Sequence, residues 1–147
     1  MKRYWYKFRV KYGKVLDSGK NKKVSEEYLV DAESFTETEK RATQAATELI
    51  GTRDFDITAI SREPITEILK DEDKCEDNHW YKTVVSLVTE DEDTGVKKFS
   101  PQIIYVNASS TKEADSMLRQ HMDSCMSDWE IKSIAETKVL GVLGYKQ

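Results

Sequence analysis

Cysteine, proline, histidine and glycine are scarce in this chain: two, two, two and six among 147 residues. Two cysteines, Cys75 and Cys125, cannot build the disulfide framework of a small secreted domain. The few glycines form no phosphate-cradling loop, and two histidines leave no Ser-His-Asp order with supporting context and no HExxH. The acidic runs at 71–77 and 90–93 lack the alternating ligands and central glycine of a calcium loop. Long apolar runs are also missing: the longest are a few residues, against the roughly 20 that a membrane-spanning helix needs. The first residues, Met-Lys-Arg-Tyr-Trp-Tyr-Lys, contain no apolar signal core. The expectation from these absences is a cytoplasmic protein with free thiols, no cofactor and no catalytic activity.

What the chain has is charge and aromatics. Charged residues make up 34% and aromatics 10%, so the chain is soluble yet can fill a core and is not disordered. Its length suits one domain or two small halves, and a chain of this size buries about 70% of its unfolded surface. The net charge of −4 hides an asymmetry. Residues 1–30 carry nine Lys/Arg against three Asp/Glu, whereas residues 31–70, 71–100 and 101–147 sum to −4, −5 and −1. Positive charge concentrated in the first hairpin hints at a polyanionic partner.

The stretch Trp5-Tyr6-Lys7 returns as Trp80-Tyr81-Lys82, and the residues after each copy match in order at an offset of 74 to 76. Val10 corresponds to Val85, Val30 to Val106, Ala32 to Ala108, Ser34 and Glu37 to Ser110 and Glu113, and Ile57 and Ile60 to Ile131 and Ile134. Ordered identities across several elements define an internal repeat.

Within each copy the patterning predicts β-β-α-β. Residues 3–12 alternate, with Tyr4, Tyr6, Phe8, Val10 and Tyr12 on one face and Arg3, Trp5, Lys7, Arg9 and Lys11 on the other. A polar turn at 16–23 leads to a return strand over 26–32. Ser34 and Glu37 form a capping box, then comes a helix with the stripe Ala42, Ala45, Ala46, Leu49 and Ile50, closed by Gly51. A third strand runs over 55–60, limited by Pro64. Residues 65–69 read as a short strand or a helical turn. The second copy repeats this: a strand over 80–88, an acidic hairpin loop at 89–94 with Gly95, and a return strand over 99–107 with Pro101 near its start. Next is a helix capped by Ser110 and Glu113, with the stripe Ala114, Leu118, His121, Met122 and Cys125, and then a strand over 129–134.

The expected fold is α+β: two tandem β-β-α-β repeats related by a pseudo-two-fold, with mostly antiparallel sheets and one helix per half. The expected halves are residues 1–70 and 80–147, joined by an acidic linker at 71–79. Trp5, Leu29, Trp80, Ile103 and Tyr105 fall on the faces away from the helices. That apolar area needs covering, by packing the halves together, by merging their strands, or by dimerisation.

The order Trp-Tyr-Lys, then Glu26-Glu-Tyr-Leu-Val-Asp-Ala-Glu-Ser-Phe-Thr-Glu37, then a second Trp-Tyr-Lys resembles an uncharacterised domain family of Bacteroides-group bacteria and their phages. The resemblance covers nearly the whole chain, with residues 26–37 its most specific part. It implies a small cytoplasmic protein encoded by a phage or mobile element. It supplies no catalytic residues.

Two constellations remain as candidate sites. In the first, Arg3, Trp5, Lys7, Arg9 and Lys11 interleave four cations with an indole on one strand face, and Trp80 and Lys82 repeat the theme with fewer cations. Lysine and arginine neutralise phosphates and release counterions, and an indole stacks a base for about 1–3 kcal/mol. The bland counterpart is that the two tryptophans bury each other while the cations snorkel outward or guard an edge strand. The second is Cys75-x3-His79 with His121-x3-Cys125, four ligands at zinc-compatible spacing. Against it, His121 and Cys125 fall on the core stripe of a helix, where cysteine acts as a small hydrophobe. The function these residues suggest is a non-catalytic, single-strand-preferring nucleic-acid-binding protein of phage or mobile-element DNA metabolism. The alternatives are an oligomeric or virion-associated protein adaptor, and an inhibitor mimicking DNA through its acidic loops.

Overall fold

A computed structural model describes residues 3–51, 54–70 and 78–143. Eight strands and two helices occur among them, in the order β1 (Tyr4–Val15), β2 (Asn21–Ala32), α1 (Phe35–Ile50), β3 (Phe55–Glu63), β4 (Glu67–Leu69), β5 (His79–Glu90), β6 (Lys97–Ala108), α2 (Thr111–Met122), β7 (Asp128–Glu136) and β8 (Val139–Leu143). The fold is α+β, with two mostly antiparallel four-stranded sheets and one helix on each half. The acidic linker expected at 71–79 lies, for residues 71–77, outside the described residues.

The chain divides into two compact units, one holding residues up to Pro64 and those from Lys138 onward, the other Ile65–Thr137. The sheet orders are β3-β1-β2-β8 and β4-β6-β5-β7. Each unit is therefore the expected β-β-α-β plus one parallel strand that belongs, in chain order, to the other repeat. β4 comes after the first repeat but pairs with β6, setting Glu67 beside Ile104 and Leu69 beside Val106. β8 comes after the second repeat but pairs with β2, setting Gly141 beside Tyr28 and Leu143 beside Val30. The exchange of edge strands is reciprocal, and the two sheets stay separate.

Local chemistry explains each element. Ser34 and Ser110 hold the extended conformation of an N-cap and accept from the amides of Glu37 and Glu113 at 3.1 Å. Those glutamates accept in return from the amides of Glu33 and Ser109, so both helices start with orphan donors satisfied. α1 ends at Gly51, whose φ of 78° places it in the left-handed region.

In the first unit the helix-side face of β1 supplies Tyr6 and Phe8, packed with Val30, Ala32 and Ala42. Phe8 stacks on Tyr28 at 5.7 Å, and Tyr6 meets Phe35 edge-on at 5.0 Å. The helix stripe runs through Thr38, Ala42 and Ala46, one turn earlier than expected. Leu49 is exposed. Buried Thr38 is satisfied by donating to the Ser34 carbonyl at 2.8 Å. In the second unit Tyr81, Val85, Ile104, Val106 and Ala108 pack beneath Ala114, Leu118 and Met122.

The strands run longer than the patterning predicts. The hairpin turns shrink to Leu16–Lys20 and Asp91–Val96, each closed through a glycine with positive φ, Gly19 and Gly95. Each outer strand carries one bulge. β1 pairs Arg9 with Ala59 and Val10 with Ile57, leaving Thr58 as the extra residue. β5 pairs Val84 with Ser133 and Val85 with Ile131, leaving Lys132. A bulge at the equivalent place in both repeats, 74 residues apart, twists each free edge and discourages edge-to-edge pairing. On the faces away from the helices Leu29, Trp80 and Tyr105 are buried, and Trp5 and Ile103 half-buried.

Candidate nucleic-acid interface

β1 places Trp5, Lys7, Arg9 and Lys11 on the face away from α1, as their alternation requires, with Arg3 just before the strand. The register then decides what each cation meets. Trp5 lies between Asp31 and Glu63, Lys7 between Leu29 and Ser61, and Arg9 between Glu27 and Ala59. Carboxylates from both neighbouring strands therefore reach into the basic row.

Arg3 is fully engaged. Its guanidinium donates to the Asp31 side chain at 3.2 Å and to the Asp31 carbonyl at 3.0 Å, and pairs with Glu37 at 3.5 Å and Glu33 at 3.8 Å. Arg41 closes on the same Asp31 carbonyl and carboxylate from α1. This cluster ties β1, the end of β2 and the first turns of α1 together. Lys7 pairs with Glu63 at 3.3 Å and Arg9 with Glu27 at 3.1 Å. Both carboxylates are nearly enclosed, with side chains 12% exposed, and such groups need their counter-charge to remain ionised at low cost. The inner part of the row is self-neutralised.

The second-repeat candidates sit deeper. Trp80 is 7% exposed, with its carbonyl accepting from the Thr137 amide and hydroxyl, so no indole face is open to a base. Lys82 is half-buried, opposite Tyr105 on β6 and Ala135 on β7. The zinc constellation does not assemble among the described residues. His79 pairs with Glu136 at 3.3 Å and His121 with Glu67 at 2.7 Å, Cys125 packs half-buried against the second core, and Cys75 lies outside the described residues. His121 leaves the core stripe to hold the exchanged strand β4 against α2.

The free positive charge is farther along the same hairpin. Beyond Val10, the β1–β2 hairpin continues as an arm over residues 11–25, two-stranded past Tyr12, where pairing with β3 ends. It carries Lys11, Lys14, Lys20, Lys22 and Lys23 against one acid, Asp17. All five lysines are exposed, and none has an ion-pair partner among the described residues. Lys14 stands directly across from Lys22 on the helix-side face, while Lys11 and Lys23 project from the opposite face. A cleft of about 530 Å³ at the arm's base is lined by Lys11, Tyr12, Lys22, Lys23, Asp54 and Phe55, among others.

Of these lysines the strand alternation marks Lys11 alone; the rest lie in or beside a stretch that reads as a polar turn. A further signal is present: the alternation Tyr12, Lys14 resumes on the return strand as Lys22, Val24, marking a ribbon rather than a loop. Tyr12 and Tyr28 flank Glu26 on this ribbon, and the Tyr28 hydroxyl donates to its carboxylate at 3.2 Å. Burial, with the Glu26 charge adding to it, pushes the Tyr28 phenol up to about 12. The hydrogen bond to Glu26 raises Tyr12 as well, with burial contributing.

No curated protein and no solved structure matches this chain. Over residues 4–145 it matches the model of a domain of unknown function, DUF4494, and it belongs to that family.

Proposed function

We propose that this protein is a non-catalytic nucleic-acid-binding protein that grips phosphates with the lysines of the β1–β2 arm. One observation carries the reading: five exposed lysines on the β1–β2 arm with no ion-pair partner among the described residues, beside a row whose cations already have carboxylates. The opposed pair Lys14 and Lys22 costs the hairpin up to about 1 kcal/mol through like-charge repulsion, a cost that a bound polyanion removes. Lysines on both faces suit a ribbon flanked by phosphates on two sides, and a two-stranded ribbon fits the major groove of a duplex.

Burial of Trp80 leaves Trp5 as the one stacker of the pair, so the affinity we propose comes from phosphates, and single strands gain little advantage over duplex. The setting we propose, phage or mobile-element DNA metabolism in a host cytoplasm, rests on the resemblance of residues 26–37 and the two Trp-Tyr-Lys stretches.

The test is fluorescence anisotropy of labelled single-stranded and duplex oligonucleotides of one sequence across a salt series. Contact with about four phosphates predicts a slope of log affinity against log salt near about −3.6 for duplex and about −2.8 for single strands. A flat dependence, or no binding at low salt, overturns the proposal.

A further inference from the structure

The two hairpins that the repeat makes equivalent have opposite charge. The β1–β2 arm holds five lysines and one aspartate. At the corresponding end of β5 and β6, Glu90, Asp91, Glu92 and Asp93 crowd the turn, with Lys97 and Lys98 behind them. None of these acidic side chains has an ion-pair partner among the described residues, and all are exposed. Charge alone would make this a solvated turn, but each hairpin also exposes apolar side chains that burial would favour. Val15 is 70% and Leu16 39% exposed at the basic tip, and Val96 is 59% and Phe99 58% exposed on the acidic hairpin. Every other large apolar side chain of these four strands is at least partly covered. Two surfaces of opposite sign, each with an uncovered apolar centre, have the composition of a weak interface: apolar contacts inside a charged rim.

We propose that the basic β1–β2 arm of one molecule docks on the acidic β5–β6 hairpin of a second copy of the same chain. The two surfaces differ, so the contact is head-to-tail: each docked pair keeps one free hairpin of each sign, and the assembly grows into a ring or an open filament. Attraction through exposed charges reaches about 10 Å at 0.1 M salt and about 3 Å at 1 M, so assembly is reversible by salt. The docking does not depend on the nucleic-acid reading, although a polyanion would compete for the same lysines.

The experiment is sedimentation velocity on nuclease-treated protein freed of nucleic acid, at about 0.05 M and about 1 M salt. At low salt the mass should climb with protein concentration, and at high salt return to the 17.0 kDa monomer. Two variants alter one hairpin each: Lys14→Glu with Lys22→Glu, which leaves the basic arm without net charge, and Glu92→Lys with Asp93→Lys, which makes the acidic hairpin basic. These positions are exposed, so folding should persist, as circular dichroism would check. Each variant alone should be monomeric at low salt, and mixing the two should restore association, since the unaltered basic arm of one then meets the unaltered acidic hairpin of the other. A wild-type monomer at low salt and high concentration overturns the proposal. So does assembly that survives about 1 M salt, or that either variant leaves intact.

Discussion

Reversing Lys7 separates a structural ion pair from a ligand contact. In the folded protein the Lys7 ammonium lies 3.3 Å from a Glu63 carboxylate whose side chain is 12% exposed, while Lys7 itself is 33% exposed. Lys7→Glu removes the pair and sets two carboxylates close together. At about 4 Å and an effective dielectric of about 20 the repulsion is about 4 kcal/mol. The introduced side chain can swing to solvent and relieve about half. The expected loss is about 2 kcal/mol, between an exposed pair and a fully buried one. For a chain of this size that lowers Tm by about 4–8 °C. Lys7→Met, which removes the charge without adding another, should cost about 1 kcal/mol, the penalty of leaving a mostly enclosed acceptor unpaired. Urea titrations of the three proteins give the stabilities, and oligonucleotide anisotropy on folded protein gives the affinities. Affinity should fall less than about threefold, the loss of a distant charge and not of a contact. If Lys7→Glu keeps wild-type stability and abolishes binding, the inner row is the ligand surface and its carboxylates are incidental.

The geometry makes three further outcomes measurable. Ser34→Ala and Ser110→Ala remove equivalent caps and should each cost about 1 kcal/mol in urea unfolding; a difference larger than the whole effect would contradict the equivalence of the repeats. Leu118 is fully buried beneath the second sheet, and Leu118→Ala should cost about 2–5 kcal/mol, measured the same way. The Tyr28 phenol is raised in the folded state to about 12 from an ordinary value of 10.0. The folded protein therefore holds that proton more tightly, and the stability so gained is intact below about pH 10 and lost as pH climbs toward about 12. Tyr28→Phe should flatten that alkaline decline, and an unchanged profile by circular dichroism would refute the assignment.

The parts of this fold visible in the sequence are those set by neighbours a few residues away. Alternation shows which side of β1 faces α1, and Ser34 with Glu37 marks a helix start because the cap is closed within four residues. The bulges at Thr58 and Lys132 leave no trace in the repeat offset, which is 74 on both sides of them. The exchange of β4 and β8 leaves none, since Glu-Ile-Leu and Val-Leu-Gly-Val-Leu state that they are strands but not which sheet they join. The inner row misleads for the same reason. Glu27, Asp31 and Glu63 stand 18 to 56 residues from the cations they neutralise, and only the register brings them there. Leu49 fits a helical stripe, yet the buried stripe ends at Ala46.

The most direct test of a phosphate-gripping arm compares duplex oligonucleotide affinity for the wild-type protein, Lys14→Glu with Lys22→Glu, and Lys7→Met, by anisotropy at low salt. Losing two of about four phosphate contacts should halve the salt slope, and reversing those charges should weaken binding at least about a hundredfold. Lys7→Met should stay within about threefold of wild type. Wild-type affinity and slope in the arm variant would contradict a phosphate grip by these lysines.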